Sequence, residues 1–345
     1  MKNRFSLILA LATLASLAPR IADAAPASTR HHSGAVTVTV KKTPYPGWQD
    51  SYVLNNGIVE VVIIPAIGRI MEFHFIGKAG PFWANAAMSG KNPDPKSSEW
   101  GNFGGDKTWP APQAEWGKIT GRQWPPPPAF DSMPVKASIV GHAVELVSPV
   151  DAAYGIRTRR RISLDPRAAV MRVTTRYEKV QGEPRKVGVW TITQTNEPVE
   201  VFIRLPQNSI NKEGYVRMEK GDLPANLKVE DSQNGAGRVV SLTRDADKAS
   251  KIGADGGTLL WVGEDDILRM DSPRVKELES QYPDQGSSAE IYTSPNPLQY
   301  VELEMLGPLV EMKPGDHIER ATTYTLMHRR AQDAHAEALK ILAKP

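Results

Sequence analysis

The run at 298–308, LQYVELEMLGP, sets two glutamates two residues apart in a segment of alternating polar and apolar side chains. Read as a strand, it puts Tyr300, Glu302, Glu304 and Leu306 on one face and Val301, Leu303 and Met305 on the other. The apolar face belongs in a core. The two carboxylates then stand about 6–7 Å apart along the strand. At that separation like charges repel, and burial would lift one of them toward the range of a general acid or base. A solvated outer face carries the same spacing at little cost, so the pair needs company before it signifies chemistry.

The company comes from an insertion at 83–131. Two runs in it, GNFGGDKTWPAPQAEW (101–116) and GRQWPPPP (121–128), show neither helical nor strand period. Trp100, Trp109, Trp116 and Trp124 are four of the chain's eight tryptophans. Indole faces stack on the apolar faces of sugar rings, and the ring N–H offers a polar edge. Asn102, Asp106, Lys107 and Gln113 beside them suit hydroxyl groups, and Asp106 and Lys107 are further candidates for acid–base work. Gly104 and Gly105 would let backbone approach a ligand closely, and Pro125–Pro128 would stiffen the wall. An irregular insertion of this length is functional or disordered, and its aromatic content argues against disorder.

Two smaller sets follow. Arg69 stands at a tight turn before Glu72 and His74, which share a strand face; Arg69 could clamp a carboxylate or a hydroxyl pair, and His74 could move a proton. Trp190, Thr193 and Gln194 lie on one central strand, with Trp190 and Gln194 as ligand contacts. The remaining histidines, His31, His32, His142, His317, His328 and His335, have no metal-ligand spacing. No phosphate-binding loop, dinucleotide fingerprint or nucleophile elbow is present. Neither a metal nor a cofactor is called for.

The elements that must hold these residues read mostly with period two. Strands are expected at 35–42, 58–65, 70–75, 135–140, 143–148, 156–164, 170–178, 186–194, 199–205, 258–262, 289–292, 298–306 and 321–328. A short amphipathic helix is expected at 331–343. The chain has 27 glycines and 28 prolines, in keeping with many turns. No repeat or clean linker divides it, although 207–250 is a long polar excursion. The pattern predicts an all-β protein, one large antiparallel β-sandwich domain over 25–345.

Residues 1–24 carry Lys2 and Arg4, an apolar run and an Ala22-Asp23-Ala24 cleavage site, the pattern of a removed signal peptide; a periplasmic or secreted protein with no membrane span is expected. Of the formal net charge of +3, Lys2, Arg4, Arg20 and Asp23 lie in that segment, so the remainder carries about +1. The densest basic cluster, Arg157–Arg161, reads as a solvated strand face, and nothing points to nucleic acid. There is no cysteine, so neither disulfides nor thiol chemistry enter.

SYVLNNGIVEVVIIPAIGRIMEFHFIGKAGPFWAN is similar to the opening strands of galactose mutarotase-like proteins. GGDKTWPAPQ, with YVELEMLGPLVEMKPGD later, resembles an uncharacterised exported bacterial family of that superfamily. The resemblance covers most of 51–328. It implies a large antiparallel supersandwich whose concave face binds carbohydrate. In aldose 1-epimerases a histidine is the acid and a late-strand glutamate the base; the latter corresponds to Glu304 or Glu302, with Glu304 favoured. The expected Asn-His-x-x-Phe-Asn run is replaced by WTITQTNEP, and Gln194 stands about where the histidine would be. Three functions are weighed: an epimerase-like enzyme using Glu302, Glu304, Asp106 and Lys107, a non-catalytic sugar-binding module, or an envelope interaction protein.

Overall fold

The computed structural model describes residues 37–344 apart from 219–222, 225 and 233–236. The signal-peptide reading of 1–24 and the start of the strand expected at 35–42 lie outside the described residues. Among those described, the strands form two antiparallel sheets of eleven and ten strands. Alternation drives the assembly: Val61, Phe73, Leu303 and Met305 of the first sheet pack against Ile162, Val173, Leu268 and Tyr324 of the second in one buried core. The outward face of the first sheet is left to carry the site. The architecture is the all-β supersandwich expected from the sequence, and it ends in a short helix, Ala334–Leu342. Asp333 caps that helix by accepting from Ala336 N–H, while Ala338, Leu339 and Leu342 are buried in a cluster with Phe202 and Leu260 of the second sheet. Among the described residues no helix is long and apolar enough to cross a membrane.

The middle of the first sheet runs Arg69–Phe75, Asp106–Ala111, Arg185–Asn196, Tyr300–Leu306, Ala289–Thr293, Ser250–Ala254. The second of these is a correction to the sequence reading, which treated 83–131 as irregular throughout. Asp106–Ala111 is fully buried and pairs along its length with Arg185–Asn196. Its composition hides it, since Asp and Pro are both poor strand residues. The position of the proline explains why it is tolerated. Gly105 C=O accepts from Gln194 N–H, so odd-numbered residues turn their backbone groups toward Arg185–Asn196 and even-numbered ones away from it. On that far side the strand pairs with Arg69–Phe75 only through Asp106. Pro110 thus lacks its N–H where no strand needs one, and its carbonyl accepts from Trp116 Nε1 at 2.8 Å.

Other departures are smaller. Trp48–Asn55 and Asp266–Asp271 are strands that the sequence reading passed over. The polar excursion contributes Val216–Arg217, Lys228–Asp231 and Arg238–Leu242, all edge or near-edge strands. The basic run at 157–161 is not one solvated face: Arg160 turns inward and is buried, while Arg157 and Arg159 pair outward with Glu178 and Glu145.

Candidate functional site: an aromatic cavity over buried ion pairs

Strand alternation splits the Asp106–Ala111 side chains between two environments. Lys107 and Trp109 face outward, toward the insertion. Asp106 and Thr108 face the other sheet. Asp106 is wholly buried between the sheets, paired with Arg160 and accepting from Thr193 Oγ1 at 2.8 Å and Tyr324 Oη at 2.6 Å. Its oxygens are occupied on the side away from Lys107, so the two neighbours do not meet at one site. Gly104 and Gly105 also serve the chain rather than a ligand. Both have positive φ, 92° and 70°, and a Cβ on Gly104 would strike the Trp83 carbonyl.

On the outward face, the register sets Gln194 directly opposite Glu302, and Ile192 opposite both Lys107 and Glu304. Over them the insertion folds down, leaving a cavity of about 220 Å³. Trp100, Trp109, Trp124 and Trp190 wall it, with Tyr292, Tyr300, Gln113, Lys251 and Glu302 completing the lining. The four indoles meet edge to face, with centroids 5.3–5.8 Å apart for Trp100–Trp109, Trp100–Trp124, Trp109–Trp124 and Trp109–Trp190. Asp131 fixes two of them. Its carboxylate accepts from Trp109 Nε1 at 2.9 Å, Trp100 Nε1 at 3.0 Å and Arg69 Nη2 at 2.6 Å. Arg69 is therefore spent holding the aromatic wall from behind, although its Nε and Nη1 have no partner.

Beneath the wall lie two ion clusters. Lys107 Nζ is 3.2 Å from Glu302 Oε1 and sits over the Trp109 ring at 4.9 Å. Burial pushes the Lys107 ammonium below its ordinary pKa, with the Arg69 charge adding to the effect and Glu302 opposing it. Burial likewise raises the Glu302 carboxyl, with Glu304 adding to the shift and Lys107 opposing it. Lys251 bridges Glu290 at 2.8 Å and Glu304 at 2.9 Å and sits 4.9 Å over the Trp190 ring. Burial works against the Lys251 charge, but the two carboxylates outweigh it and hold its pKa above the lysine value. Burial, then Glu304 and Asp284, push Glu290 well up against the pull of Lys251.

Glu304, preferred from the sequence as the late-strand base, is fully buried, its Oε2 taken by Lys251 and by Trp190 Nε1 at 2.7 Å. Glu302 is the carboxylate that opens to the cavity. Gln194 is buried beside it with neither amide atom hydrogen-bonded. Asn102 is buried, its backbone carbonyl accepting from Asn85 Nδ2, and it does not line the cavity. His74 stands apart, 3.2 Å from Glu72 Oε2, whose other oxygen accepts from Tyr45 Oη at 2.5 Å. The hydrogen bond to Glu72 raises the His74 pKa against burial. This histidine does not line the cavity.

Trp109, Gln113, Trp124, Trp190 and Glu302 thus converge, with Lys107 and Gln194 directly behind, whereas Asp106 and His74 go elsewhere. Lys251, Tyr292 and Asp131 were missed. Lys251 and Asp131 lie in segments without period, while Tyr300 was visible on the face shared with Glu302.

No protein-family model matches the chain, and no curated protein matches it in sequence. Solved structures do. A galactose mutarotase-like protein from Lactobacillus casei superposes with a TM-score of 0.54 at 10% identity, covering 80% of this chain and 100% of that one. The fold is that of the galactose mutarotase-like superfamily. A protein from Klebsiella pneumoniae provisionally assigned as an aldose 1-epimerase gives 0.55 at 10% identity, over 89% of this chain and 87% of that one. One from Escherichia coli K12, assigned likewise, gives 0.52 at 12%, over 81% and 99%. In this chain the cavity lies on the outward face of the first sheet, at its central strands.

Proposed function

We propose that this is an exported carbohydrate-binding protein whose ligand, a pyranose ring, enters the tryptophan-walled cavity. The observation that carries this reading is the pairing of four indoles with a polar floor. The N–H groups of Trp100, Trp109 and Trp190 are already consumed by Asp131 and Glu304, so these rings offer a ligand their faces and edges but not their donors. Stacking on apolar ring faces, with hydroxyls directed to Glu302, Gln113 and Lys251, is the recognition this arrangement supports.

Proton transfer is the finer step. Glu302 has a raised pKa, faces the cavity and touches Lys107, whose own pKa is lowered. When the Glu302 carboxylate takes a proton from a sugar hydroxyl, the negative charge passes to the sugar oxygen and Lys107 remains as the cation of the site, so the total charge is unchanged. In an epimerase-like reaction Glu302 would deprotonate the anomeric hydroxyl as the ring C–O bond opens, and a second group would protonate the ring oxygen; Lys251 is the cation that lines the cavity. The non-catalytic reading is favoured by two facts: both lysines are held by carboxylates, and no histidine among the described residues lines the cavity.

Calorimetry against monosaccharides and uronates tests binding, and polarimetry of fresh α-anomers tests exchange. Binding with anomer exchange that Glu302→Gln abolishes supports the enzyme. Binding with exchange at the uncatalysed rate supports the module. No heat and no thermal shift with any sugar defeats the proposal.

A further inference from the structure

The insertion forms a second hollow, of about 300 Å³, on the other side of the aromatic wall. Trp100 lines both hollows. Trp124 lines the inner one, and its neighbours Pro125 and Pro126 line the outer one. The wall is thus a thin crest, with Trp100 and Trp124 crossed at 70° and 5.3 Å. Trp124 at its top is 43% exposed, the one tryptophan among the large apolar side chains left open to solvent among the described residues. Leaving an indole uncovered forgoes the burial that large apolar side chains ordinarily gain. The exposure makes sense if something else covers the ring.

The outer hollow differs in chemistry from the inner. Lys91, Arg122, Asp94, Glu99 and Ser97 all line it. Asp131 also lines it but is paired with Arg69 at 2.6 Å, so the remaining two cations and two anions match and leave no net demand for an ion. Arg122 reaches only long contacts, 3.4 Å to the Ser97 carbonyl and 3.3 Å to the Pro126 carbonyl. Its guanidinium is weakly held and retains donors. Mixed donors and acceptors in a wet hollow suit a neutral, hydroxyl-rich unit. Asp131 binds Trp100 and Trp109 of the inner hollow, lines the outer one itself, and so makes the crest rigid.

We propose that the two hollows are subsites of one cleft and that the ligand is a linear, neutral glycan of at least two pyranose units lying across Trp124. The unit in the inner hollow meets Glu302, and the next meets Arg122. This rests on the sugar-binding reading above and narrows it from a single ring to a chain.

Calorimetry of the purified protein tests it with three matched pairs: glucose and cellobiose, galactose and β-1,4-galactobiose, N-acetylglucosamine and chitobiose. At least one disaccharide should bind tenfold or more tightly than its own monosaccharide. Arg122→Ala should erase that gain while leaving monosaccharide affinity and melting temperature unchanged. Ser97→Tyr, which fills the outer hollow instead of removing a side chain, should do the same. Equal affinity for monosaccharide and disaccharide in every pair overturns the two-subsite cleft while leaving the inner sugar site standing. A loss in Arg122→Ala that is equal for both members of a pair also overturns it. Absence of binding to all six sugars overturns the neutral two-unit ligand, and the inner sugar site falls with it if the uronates also fail to bind.

Discussion

Lys107 Nζ and Glu302 Oε1 stand 3.2 Å apart under the tryptophan wall, and burial drives both toward their neutral forms. Neither charge is comfortable there alone. Glu302→Leu should therefore destabilise the protein by about 3–5 kcal/mol, because it leaves a buried ammonium without its anion. Lys107→Met with Glu302→Leu should cost clearly less than the two single changes combined. Urea unfolding with an unchanged m-value measures each step, and simple additivity would show that the pair is not energetically coupled.

Asp106 is assigned to stability. Asp106→Asn leaves Arg160 buried between the sheets without its carboxylate partner, a loss of about 3–5 kcal/mol. The folded fraction should bind sugar as the parent does. A reduced affinity without loss of stability would return Asp106 to the site.

Trp124→Ala should weaken sugar binding about tenfold, equivalent to about 1.4 kcal/mol, since it removes a stacking face. Because the ring is 43% exposed, the melting temperature should move little. A large drop in melting temperature would mean that the indole acts chiefly as a structural prop.

The C-terminal helix carries a pH-dependent clasp. His335 Nδ1 lies 2.8 Å from Glu200 and Nε2 2.7 Å from Glu230. Burial lowers the His335 pKa, but the hydrogen bond to Glu200 and the charges of both carboxylates outweigh it, so the net shift is upward. A histidine whose folded pKa exceeds its unfolded value stabilises fully below the latter, near pH 6.5. That contribution fades as pH climbs through the raised folded value. Thermal melts should show this decline across that interval, and His335→Gln should flatten it. A parent and variant with parallel pH profiles would refute the clasp.

Much of the scaffold was legible because burial on one side of a sheet imposes a period of two. The runs at 156–164, 170–178 and 289–292 became strands within a residue or so of their expected bounds. The facing of Tyr300, Glu302 and Glu304 followed from the same parity, as Val301, Leu303 and Met305 entered the core. Parity could also have separated Asp106 from Lys107, but only once their segment was known to be a strand. Its glycines, acid and prolines gave no such sign. Its place between Arg69–Phe75 and Arg185–Asn196 was decided by pairing with residues some eighty positions away, which no local propensity records.

The sequence by itself determined the class of fold, the aromatic richness of the insertion and the two glutamates on one strand face, because alternation and composition are local properties. Tertiary structure alone decided which carboxylate opens to solvent, which lysine lies beneath it, and that Asp131 binds two indoles. The choice between Glu302 and Glu304 turns on where Lys251, Trp190 and the folded-down insertion come to rest, and those are contacts between distant segments. Charges become chemically distinct only when the fold gives them different neighbours and different access to water.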